Sequence, residues 1–74
     1  MTNIDLLEDK IYESGLKKGY IAAKIGVSPS TFTALLNNKT EFKARQIRAI
    51  CEVLDIRDDA EIRAIFFGDN GAFK

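Results

Sequence analysis

The side chains that carry covalent catalysis are nearly missing from this chain. It has no histidine and a single cysteine, Cys51. Neither a Ser/His/Asp nor a Cys/His nucleophile can be assembled, and one thiol without an imidazole cannot build a zinc site. Glycines 15, 19, 26, 68 and 71 form no phosphate-cradling loop. Asp58, Asp59 and Glu61 are the only dense carboxylate group, and the start of a helix accounts for them, because its free N–H groups attract negative charge. These residues predict no enzyme, no cofactor, no metal and no small-molecule substrate. They leave recognition as the chemistry to look for.

Charge is where recognition shows. The 74 residues have a net charge of zero, which argues against phosphate neutralisation until the distribution is read. Residues 17 to 48 hold Lys17, Lys18, Lys24, Lys39, Lys43, Arg45 and Arg48 against Glu41 alone, a net of +6. Residues 1 to 16 and 49 to 74 each net −3. Any one of these charges is explained as a solvated helix face, but their segregation along the chain is not.

The basic segment must be positioned by the stretch from Lys18 to Asn37, which predicts two short helices joined by a tight turn. Ile21, Ala22 and Ile25 recur at helical spacing, and Gly26 can take the positive φ that ends a helix. Val27 turns inward, Ser28 offers a hydroxyl to the next helix's free N–H groups, and Pro29 suits its first position. Phe32, Leu35 and Leu36 then share one side, and Ser30, Thr33, Ala34 and Asn37 the other.

The flanking segments predict three more helices. Asn3 caps the first, whose stripe of Ile4, Leu7 and Ile11 faces inward with Tyr12 at its border, and which ends near Gly15. Leu6 falls on the far side with Asp9 and Glu13. Phe42 plugs back into the core, and Ile47, Ile50, Cys51 and Leu54 mark a helix from about Ala44 to Leu54. Cys51 within that stripe reads as a small buried hydrophobe. Asp58 and Glu61 have the form of a capping box opening a last helix, with Ile62, Ile65 and Phe66 inward and Phe67 off the stripe. The tail from Gly68 to Lys74, with Phe73 in it, is expected to fray. The fold class is all-α, a compact bundle of five short helices forming one domain over residues 1–74. A chain this small buries only about 60% of its unfolded surface, so a homodimer is a candidate state. One cysteine, no apolar run of membrane length and no leader-like N-terminus predict a soluble cytoplasmic protein with no membrane partner.

Ala22, Gly26, Val27, Ser28, Phe32 and Leu35, with Gly15-Leu16 before them, Asn37-Asn38-Lys39 after them and Ile65-Phe66-Phe67 near the end, resemble the Cro and repressor-like helix-turn-helix proteins of temperate phages and bacteria. The resemblance covers roughly residues 4 to 67, with the motif at about 18–37. It implies a lambda-repressor-like fold, a bacterial host cytoplasm, and a regulator of the switch between lysogenic and lytic growth. It also implies that the second helix of the pair enters the major groove of double-stranded operator DNA. By that likeness Ser28, Pro29, Ser30, Thr33 and Asn37 face bases, and Lys17, Lys18, Asn38, Lys39 and Lys43 hold phosphates. The chain departs from the family in having Pro29 where a Gln is common and no Arg, Lys or Gln between Val27 and Asn38. Only Asn37 is left to make a two-pronged contact to adenine. Small phage proteins of this appearance are also thought to act as antirepressors, or modulators of repression, by binding the phage repressor protein. Leu6, Asp9, Glu13 and Phe67 are the candidate contact for that role.

Overall fold

The computed structural model describes residues 2–68; Met1 and residues 69–74, with Phe73 and most of the expected tail, lie outside the described residues. The chain forms five helices and no strand among the described residues: α1 (Ile4–Ser14), α2 (Lys18–Ile25), α3 (Pro29–Leu36), α4 (Ala44–Leu54) and α5 (Asp59–Phe66).

Local chemistry sets most of the boundaries. The Asn3 side chain accepts from the Leu6 N–H at 3.2 Å at the start of α1, and Gly15 ends the helix at φ +73°. Gly26 does the same for α2 at φ +80°, with the Val27 N–H donating to the Ala22 carbonyl at 3.0 Å and the Gly26 N–H to Ala23 at 3.2 Å. That pair of bonds satisfies carbonyls a helix end would otherwise leave open. Ser28 Oγ then accepts from the Thr31 N–H at 3.1 Å, and Pro29 occupies the first position of α3. Two helix boundaries depart from the sequence pattern. Asp58 makes no side-chain capping bond at α5, and Glu61 instead pairs with Lys10 of α1 at 2.5 Å. At α4, Gln46 folds back so that its Oε1 accepts from the Lys43 N–H at 2.9 Å. Lysine has no acceptor to return that bond.

The stripes meet in one core. Leu7, Ile21, Leu35, Ile50 and Ile65, one from each helix, are all at most 1% exposed. Phe32, Phe42, Leu54 and Phe66 complete the filling, and Phe42 meets Phe66 edge to face with ring centroids 5.4 Å apart. Rings so arranged set the positive edge of one against the negative face of the other. Ile56, in the α4–α5 connection, is buried too. Tyr12 does not border the core: its side chain stands 88% exposed.

The N-terminal residues bind the far parts of the fold together. The Asn3 N–H donates to the Ile65 carbonyl at 2.6 Å, and Asn38 Nδ2 donates to the Thr2 carbonyl at 3.3 Å. The Asn3–Ile65 bond places the start of α1 against the end of α5, and Lys10 on Glu61 joins the later part of α1 to the start of α5. No helix among the described residues is long and apolar enough to cross a membrane.

Candidate nucleic-acid interface

The α2–α3 pair owes its geometry to the turn at Gly26–Ser28. Phe32, Leu35 and Leu36 bury the inner side of α3, and Pro29, Ser30, Thr33 and Asn37 are left exposed on its outer side, with Ala34 half-buried. This face has no carboxylate and no cation. It is small and polar, so another molecule can approach the helix closely.

The five base-facing candidates are not equivalent. Ser28 Oγ accepts from the Thr31 N–H and donates to Thr31 Oγ1 at 3.0 Å, so the cap uses its hydroxyl. Pro29 has no N–H and offers shape alone. Ser30, Thr33 and Asn37 have side chains without a partner among the described residues. Asn37 sits where α3 ends, its backbone N–H held by Thr33 and Ala34. Its carboxamide is the one group on this face that sets a separate donor and acceptor side by side, as a two-pronged contact requires.

The phosphate candidates divide the same way. Lys17, Lys39 and Lys43 are exposed and make no ion pair among the described residues. Lys18 pairs with Glu8 of α1 at 3.1 Å, with both side chains over a third exposed, so its charge is partly cancelled. Asn38 is half-buried at φ +57°, and one of its amide hydrogens is engaged by Thr2. The sequence pattern did not single out Tyr20, half-exposed on α2, whose ring lies 5.7 Å from Lys24 Nζ. Such a contact holds a cation at an aromatic face.

The partner-contact candidates occupy another part of the surface. Leu6 is 38% and Phe67 61% exposed, and Asp9 and Glu13 are exposed on α1. Leu6 lies in the first turn of α1 and Phe67 caps the end of α5, the two ends that the Asn3–Ile65 bond draws together. Within the Asp58, Asp59 and Glu61 cluster, Glu61 is held by Lys10. That hydrogen bond raises the lysine's pKa above its ordinary value.

An open groove of about 440 Å³ runs along α4 towards α5, with Ile47, Cys51, Ile56 and Ile62 among its lining and Arg48 and Glu52 at its edge. Burial pushes the Cys51 thiol's pKa up and keeps it protonated. Among the described residues, no group of His, Cys, Asp and Glu is arranged to hold a metal ion.

No family model, curated protein or solved structure matches the chain.

Proposed function

We propose that the protein binds double-stranded DNA through the exposed face of α3 and acts as a Cro-like transcriptional regulator of a lysogenic/lytic switch. The observation that carries this reading is the company α3 keeps. Its outer face is free of carboxylates and ends in Asn37, and among the described residues the Asn37 side chain has no partner and the exposed Lys17, Lys39 and Lys43 make no ion pair. Backbone-holding cations around a small polar face are what major-groove docking needs. Base readout then rests on Asn37, assisted by Ser30 and Thr33. Lys17, Lys39 and Lys43 set position on the duplex.

The test is binding to duplex DNA from the protein's own promoter region, titrated at several salt concentrations. Lys17→Ala and Lys39→Ala should each weaken binding to all sequences and flatten the salt slope by about one unit. Asn37→Ala should cost about 1–3 kcal/mol at a single base pair. Affinities confined to about 10⁻⁴–10⁻⁶ M for every sequence would reject operator recognition.

A second reading has its own observation. Leu6 and Phe67 are exposed apolar residues at one end of the molecule, next to an α1 surface bearing Asp5, Asp9 and Glu13. An apolar anchor inside an acidic surface suits a basic protein partner, so the alternative is an antirepressor that covers the DNA-binding surface of a phage repressor. Charge reversal at Asp9 and Glu13 should then slow association and reduce its salt dependence, and Leu6→Ala or Phe67→Ala should speed dissociation. Equal rates for all variants on the immobilised repressor domain would dispose of this alternative.

A further inference from the structure

Helix α4 is charged against its own dipole. A helix is positive at its N-terminus and negative at its C-terminus, so acids favour the start and bases the end. In α4 the order is reversed: Lys43 stands at the N-cap and Arg45 and Arg48 follow in the first half, whereas Glu52 lies in the last turn and Asp55 at the C-cap. The first turn has no acid and the last turn no base. Nothing within the described chain offsets this. Arg45, Arg48 and Glu52 are exposed and their side chains make no ion pair or hydrogen bond, and the one acid that is paired, Asp55, takes Arg57 from the following loop at 2.6 Å.

These charges border a stripe. Ala44, Ile47, Arg48, Cys51 and Asp55 recur at spacings of three and four residues, the repeat that lets one helix lie along another, and all of them line the groove beside α4. Ala44 at one end is small enough for close approach of a second backbone.

We infer that this face of α4 pairs with the same face of a second copy of the chain, the two helices running antiparallel about a two-fold axis that passes between Arg48 and Glu52. Antiparallel pairing brings the basic half of each helix against the acidic half of the other and opposes their dipoles. Arg48 meets the partner's Glu52, and the symmetry repeats that pair once. Parallel pairing would set Arg48 against its own copy. The charge order that is unfavourable in one chain is therefore complementary in two.

This inference deepens the regulator reading, in which two subunits span an operator. Association is measured without DNA, so failure of one leaves the other standing. The experiment is sedimentation equilibrium of the chain and its variants at low ionic strength, with helical circular dichroism confirming that each variant is folded. Wild type should show a concentration-dependent dimer. Arg48→Glu and Glu52→Arg should each raise its dissociation constant by about tenfold or more, because each places two like-charge pairs across the axis. The double variant should regain the wild-type constant. An equimolar mixture of the two single variants should form a heterodimer, since one then carries two acids where the other carries two bases. A wild type that stays monomeric at all concentrations overturns the inference. So does a dimer indifferent to both substitutions, or a mixture that fails to associate.

Discussion

Gly19 and Gly26 sit in the same helical hairpin, yet replacing each with alanine should move stability in opposite directions. A Cβ added at either position meets no atom within 4 Å, so neither substitution is penalised by a clash. The difference is backbone. Gly26 holds φ +80°, whereas Gly19 lies in the first turn of α2 without a positive φ. An L-residue in the left-handed region costs roughly 1–2 kcal/mol. Restricting the unfolded chain returns about 0.4–1 kcal/mol. Gly26→Ala should therefore destabilise by roughly 0.5–1.5 kcal/mol as the difference of those two terms. Gly19→Ala should stabilise by about 0.5–1 kcal/mol, since glycine is the poorer helix former. At about 4–8 °C per kcal/mol for a domain of this size, the two variants should melt roughly 5–20 °C apart, with wild type between them. Thermal unfolding followed by circular dichroism reads this directly. If Gly26→Ala melts at or above wild type, the left-handed turn between α2 and α3 does not exist as described. If it loses more than about 3 kcal/mol, crowding and not backbone strain controls the site.

Phe32, 2% exposed on the inner side of α3, should cost about 3–5 kcal/mol when cut to alanine, enough to unfold much of a domain whose whole stability is on the order of 4–11 kcal/mol; an unchanged melting temperature would remove it from the core. The raised Cys51 pKa has a pH signature. The unfolded thiol loses its proton near the ordinary value of 9.0 while the folded one keeps it, so its contribution is intact below about pH 9 and falls as pH rises towards the folded pKa. Cys51→Ala should flatten that alkaline decline in urea titrations across pH 8 to 10, and an unaltered slope would refute the assignment. Glu8→Gln removes an exposed ion pair with Lys18 and should change stability by less than about 1 kcal/mol. If DNA is the target, it should also steepen the salt dependence of binding by releasing a cation.

Local signals were the legible ones. Asn3, Gly15, Gly26, Ser28 and Pro29 each act within a turn of their own position, and the helices begin and end at them. The inward stripes followed from periodicity, which is why Leu7, Ile11, Ile21, Leu35, Ile50 and Ile65 are buried where the spacing put them. What escaped were features set by neighbours distant in sequence. Asp58 and Glu61 have the spacing of a capping box, but Lys10 arrives from α1 and takes Glu61 away. Glu8 reaches Lys18 across the first turn, so one expected phosphate contact already has an anion beside it. Two features nearer at hand also fell outside the stripes: Gln46 is buried by a backbone bond at its own helix start, and Ile56 belongs to no helical stripe at all. On the α3 face the outward direction of Ser30, Thr33 and Asn37 was readable from the same period as the core, whereas the engagement of Asn38 depended on a hydrogen bond to Thr2, far away in sequence, that periodicity does not encode.

The backbone bond from Asn3 to Ile65, joined by the Asn38 amide on Thr2, makes the two extremities of the helical fold a single clasp. Its parts are 62 and 36 residues apart in sequence, so they close only after most of the chain is in place. Fraying of the first turn of α1 and detachment of α5 are then not separate events. Amide protons of Leu6 and Leu7 should exchange with solvent through the same opening, and at the same apparent free energy, as those of Ile65 and Phe66, while the α2 and α4 amides report a slower, more global unfolding. A structure that looks like five helices in a row thus has its least persistent cooperative unit assembled from both ends at once.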